Sequence, residues 1–143
     1  MAFLPDAAQI SHAMSEATAP AFVLGAVAAF ISVLLGRVTM VLERIRSLNE
    51  IADNDTDRAR LKSDIPRLRQ RIKLLSSATH LALVSGICTA LLLVLGFATA
   101  LFGLEHEYGA GLIFAVAVAL LGASLYRFAQ EVRMGLSEAD HYR

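Results

Sequence analysis

His12 and Glu16 stand four residues apart, the spacing that puts two side chains on one face of a helix. Glu105 and His106 lie together in the short polar run EHEY. Two imidazoles and two carboxylates make an oxygen- and nitrogen-rich donor set of the kind divalent metals accept. Solvated turn residues explain the same pattern without a metal, and that reading is preferred. The other reactive side chains are isolated. His80 sits near one end of an apolar run and reads as a hydrogen-bonded interfacial residue. Cys88, the single cysteine, sits in the middle of that run and behaves as a small apolar group. It excludes a disulfide framework and a thiolate-clustered metal site. No nucleophile–base pair and no cofactor motif can be assembled, so an enzyme is not expected and no cofactor is implied.

What must position these residues is set by hydropathy. The 143 residues are 56% hydrophobic and 18% charged, with a mean hydropathy of +0.56. That is too apolar for an ordinary soluble domain. About 20 uncharged apolar residues cross a bilayer. Residues 17–36 form one such interval, 74–104 a second and 108–126 a third. The first 20 residues carry no lysine or arginine, so they lack the basic start of a cleaved signal, and the first run is expected to remain as a span.

Orientation follows from lysine and arginine placement. Ten of the thirteen lie between Arg37 and Lys73, and Arg127, Arg133 and Arg143 follow the third run. The expected topology has the N-terminus and EHEY outside and the C-terminus in the cytoplasm. The chain divides into an outward segment 1–16, span 17–36, cytoplasmic segment 37–73, span 74–104, turn 105–107 between Gly103 and Gly109, span 108–126 and tail 127–143. Residues 6–18 can join the first span or lie flat on the membrane, since Pro20 permits either.

The stretch LGRVTMVLERIRSLNEIA carries apolar residues at intervals of three and four beyond Arg37: Val41 or Leu42, Ile45 and Leu48. Leu61, Ile65, Leu68 and Ile72 repeat the pattern on the returning segment. That is the seam of a coiled coil. ADNDTD between them is rich in turn and cap residues. The expected fold class is therefore an all-α integral membrane protein with three spans, the first two extended into a cytoplasmic antiparallel helical hairpin. Pro66 is tolerated in the first turn of a fresh helix capped by Asp64 or Ser63.

Ten basic and six acidic side chains decorate the hairpin without an aromatic residue among them, which argues against nucleic acid. Arg69, Arg71 and Lys73 stand nearest the membrane and are candidates for anionic lipid headgroups. Within the spans, small residues recur at helical spacing: Gly25, Ala29, Ser32 and Gly36 in the first, Gly86 and Ala90 in the second. Such rows let helices approach closely in lipid. A homo-oligomer is expected, with membrane lipids as surroundings and a second membrane protein as a further partner. The function expected is a membrane-embedded scaffold or accessory protein that self-assembles through its small-residue spans and through the coiled-coil hairpin, whose seam of Leu42, Ile45, Leu48, Leu61, Ile65, Leu68 and Ile72 joins copies. The alternative is an oligomeric channel or small-solute transporter with span one lining the path.

PAFVLGAVAAFISVLLGRVTMVLERIRSLN and LRQRIKLLSSATHLALVSGICTALLLVLGF, with Pro20-Ala21-Phe22, Ser32-Val33-Leu34, Arg37, Arg44, Arg46, Leu48-Asn49 and the basic run through Arg71, resemble a bacterial family of small three-span membrane proteins. That family is known as a domain of unknown function, family 2721. The resemblance covers about Ile10 to Leu136 and implies a bacterial inner membrane. It implies no catalytic or binding residue.

Overall fold

The computed structural model describes residues 6–103 and 107–141, with the side chains of 107, 138, 139 and 141 outside that description. Among the described residues all regular structure is helical. Helix α1 runs Ala7–Asn49, α2 Thr56–Ala59, a 3₁₀ turn Arg60–Asp64, α3 Ile65–Phe102 and α4 Glu107–His141. Three helices are long and apolar enough to cross a membrane, which makes this the architecture of a multi-pass membrane protein. At 1.5 Å per residue, the 43 residues of α1 reach roughly 64 Å, about twice the hydrocarbon thickness.

Residues 7–18 belong to α1, which resolves the alternative left open by Pro20. The helix starts with half of a capping box: Asp6 N–H donates to Gln9 Oε1 at 3.1 Å. Pro20 sits inside the helix and offers no N–H to the Glu16 carbonyl. α1 ends at Asn49, and the chain turns through 50–55. Asp55 caps α2, its carboxylate accepting from Arg58 N–H at 3.3 Å. α3 begins at Ile65 with Pro66 second, where a missing N–H costs nothing because that donor has no intrahelical acceptor. It stops at Gly103, whose φ of +66° is a left-handed cap that a Cβ would strain. Gly109 lies inside α4 and ends nothing. Glu105 and His106 of the expected turn 105–107 lie outside the described residues, as does Leu104 at the end of the second expected span. Residues 127–141, read as a tail, continue α4 without a break.

The chain divides into two compact units. One comprises Met1–Phe30 with Leu81–Gly122. Its buried positions are Pro20, Val27, Ala82, Ser85, Thr89, Leu92 and Ala117. Small and hydroxylated residues dominate, as expected where apolar surroundings remove the hydrophobic drive and close packing takes over. Ser85 Oγ donates to the Ala117 carbonyl at 2.7 Å, tying α3 to α4. A Cβ at Gly86 would lie 3.2 Å from Val27 Cγ1, so the bare glycine sets how closely α1 passes.

The other unit comprises Ile31–His80 with Ala123–Arg143. It buries Leu34, Val41 and Leu48 of α1, Leu68, Leu75 and Ala78 of α3, and Ser124 and Glu131 of α4. The seven-residue spacing on α1 and α4 is the period that keeps one stripe of a helix turned inward. Ser124 Oγ donates to the Ala78 carbonyl. The seam residues divide accordingly. Leu48 and Leu68 are 1% and 4% exposed, so they are consumed within the chain. Ile45, Leu61, Ile65 and Ile72 are half-buried. Within the chain Val41 takes the inward position and Leu42 stays 40% exposed, because the seven-residue register through Leu34 and Leu48 selects 41.

Candidate functional site: a buried carboxylate between two arginines

Glu131 is fully buried, on the part of α4 that follows the third apolar run. A buried ionised carboxylate is tolerated only when paired and hydrogen-bonded. Here α1 and α3 supply the partners. Arg71 donates to Glu131 Oε1 through Nε at 2.9 Å and Nη2 at 2.7 Å. Arg37 donates to Oε2 through Nη2 at 2.9 Å. Both carboxylate oxygens are thereby engaged, by guanidinium groups from two helices. Phe128, one turn back on α4, places its ring centroid 5.9 Å from Arg37 Cζ, within range of a cation–π contact.

The sequence around Glu131 makes room for this cluster. Gly135 follows it by one turn on α4, and a Cβ there would lie 3.1 Å from Arg71 Nη2. A larger residue would push the Arg71 guanidinium away from its carboxylate. Further along, Arg67 Nη2 donates to Ser137 Oγ, which donates in turn to the Met134 carbonyl. At the loop between α1 and α2, Lys62 Nζ donates to Asp53 Oδ1 at 2.6 Å. That hydrogen bond and the lysine charge hold the Asp53 carboxyl below the ordinary carboxylate value.

Three charge-assisted hydrogen bonds hold the carboxylate, two on Oε1 and one on Oε2. The cluster is a three-helix clasp, and it fixes where α1, α3 and α4 meet in this unit. It also corrects one headgroup expectation. Arg71 directs its guanidinium inward onto Glu131, with the side chain 13% exposed, because a buried acid outcompetes the solvent-facing position. Arg69 and Lys73 remain exposed.

In the other unit, His12 Nδ1 and Glu16 Oε1 are 3.5 Å apart on an exposed face of α1. They line a cleft of about 1010 Å³ with Pro20, Leu92, Phe97 and Phe114. Glu105 and His106, the other two candidate metal donors, lie outside the described residues, and the described residues contain no group of three such donors. The two small-residue rows part ways. Gly86 packs on Val27, and Ala90 is half-buried. Gly25 and Gly36 have open space where a Cβ would go, and Ala29 and Ser32 are exposed.

The family model for a protein of unknown function (DUF2721) matches residues 17–141. The chain belongs to that family. The matched range holds all of Arg37, Arg71 and Glu131, so the clasp of this DUF2721 protein lies inside the family domain. It leaves out His12 and Glu16. No curated protein and no solved structure matches the chain.

Proposed function

We propose that this DUF2721 protein is a non-catalytic scaffold or accessory subunit of the membrane, and that it self-assembles. The observation that supports it best is the row Gly25, Ala29, Ser32 and Gly36 on α1, exposed along its length. At about 100° per residue, the row lies roughly half a turn from the stripe Val27, Leu34 and Val41. One face of α1 is thus spent within the chain, and the opposite face offers small residues against which another helix can pack closely. The charged extensions of α1 and α3 form the cytoplasmic antiparallel hairpin in this reading, with its coiled-coil seam closed within the chain at Leu48 and Leu68. The N-terminus is outside, the C-terminus inside, and the membrane is the bacterial inner membrane.

Cysteine cross-linking tests it. With Cys88 replaced by serine, single cysteines at Gly25 or Ser32 are expected to give oxidised dimers in native membranes. A single cysteine at the buried Leu34 position is not. Cross-linking that does not distinguish the two faces removes the small-residue row as the interface.

The alternative is a channel or small-solute transporter with span one lining the path. It draws on the cleft at the start of α1, with His12 and Glu16 at its polar side. Liposome flux that falls when Glu16 becomes glutamine supports that reading, and tight liposomes oppose it.

A further inference from the structure

Arg37 marks the place where α1 passes from apolar to charged sequence: the uncharged interval 17–36 ends one residue before it. About 20 residues already cross the hydrocarbon layer, so a side chain at this register stands at the level of lipid phosphates. Its guanidinium is the lesser partner in the clasp. Arg71 makes two hydrogen bonds to Glu131, whereas Arg37 makes one. Arg37 Nε is buried without an acceptor, so Glu131 does not satisfy this guanidinium. The Arg37 side chain is nevertheless 33% exposed.

The neighbours on the same face of α1 fit an anionic amphiphile. Val33 precedes Arg37 by one turn on the apolar side and is 51% exposed. Arg44 follows by two turns, also exposed, roughly 10 Å further along the helix. An apolar side chain, then one arginine at phosphate level, then a second arginine beyond it, matches the order of acyl chain, phosphate and headgroup. Guanidinium suits this role because it is permanently charged and its remaining N–H groups give charge-assisted hydrogen bonds to phosphate oxygens.

We propose that the Val33–Arg37–Arg44 face of α1 binds one anionic phospholipid, with the phosphate on Arg37. The site is read within one chain and stands whether or not the protein self-assembles. Arg37 then has two anionic partners, Glu131 on its inner side and the phosphate on its outer side.

The test uses the full-length protein in neutral detergent, titrated with phosphatidylglycerol or with phosphatidylcholine, and the bound lipid is counted by native mass spectrometry. Phosphatidylglycerol is expected to bind and phosphatidylcholine to compete poorly. Removing one juxtamembrane arginine lowers affinity about fivefold. Arg37→Gln and Arg44→Gln are each expected to weaken phosphatidylglycerol binding by about that factor. Glu131→Gln takes away Arg37's inner anion and is expected to keep or strengthen lipid binding. If Arg37 serves the clasp alone, Glu131→Gln harms lipid retention as much as Arg37→Gln does, and that result overturns the proposal. Unchanged binding in Arg44→Gln, a variant outside the clasp, overturns it as well. Displacement of the lipid by inorganic phosphate at equal affinity assigns the site to free phosphate and removes the lipid.

Discussion

Replacing Glu131 by leucine takes from Arg37 and Arg71 the buried carboxylate to which both donate. Breaking a buried ion pair by deleting one partner costs about 3–5 kcal/mol. Arg37 is one-third exposed and recovers some hydration, which places Glu131→Leu near the lower end, about 3 kcal/mol. For a chain of this size each kcal/mol moves the midpoint by about 2–4 °C, so a fall on the order of 10 °C is expected. The protein has no tryptophan, so circular dichroism in detergent is a better assay than intrinsic fluorescence. The triple variant Arg37→Met, Arg71→Met, Glu131→Leu removes every charge from the cluster. Such replacements are often neutral or stabilising, so the triple is expected to recover most of the loss. A midpoint within about 2 °C of wild type for Glu131→Leu alone would refute the clasp, given that slope. A triple variant no better than the single one would refute the charge argument behind it.

Three further outcomes follow from the same geometry. Gly86→Leu forces a side chain against Val27 and is expected to destabilise the fold by about 1–3 kcal/mol, whereas Gly25→Leu meets open space and should leave the melting midpoint unchanged while reducing cross-linked dimer. Gly103→Ala places a Cβ at φ +66° and is expected to cost about 1 kcal/mol, read as a lower thermal midpoint. Asp53 has a folded-state value below its unfolded one, so its bond to Lys62 contributes above the ordinary carboxylate range and is lost as pH falls through the lowered value. Amide exchange in residues 50–64 should therefore differ between wild type and Asp53→Asn at neutral pH and converge in strong acid.

Much of this fold was legible because single-residue properties decide it. Uncharged intervals mark the spans, and ADNDTD and Pro66 mark the turn and the restart of a helix. The clasp was not legible in the same way. Glu131 follows Arg127 by four residues, which reads as an ordinary surface pair on a helix. Its burial depends on a longer signal, the seven-residue steps Ala117, Ser124 and Glu131, and on α4 continuing past its apolar part. Gly135, one turn beyond, was a second sign, because a glycine inside a helix marks a close approach. The choice between Val41 and Leu42 for the inward position has the same origin. Val41 and Leu42 are equally apolar, and only the register through Leu34 and Leu48 separates them. The rows of small residues were visible in sequence, but which row faces inward depends on the neighbouring helix, as Val27 against Gly86 demonstrates.

Self-assembly is the claim on which the functional reading rests, and subunit counting tests it most directly. Native mass spectrometry of the protein gently extracted from its own membrane is expected to give a closed assembly of several identical chains. A wild-type protein that remains a monomer without partners under those conditions would contradict the account.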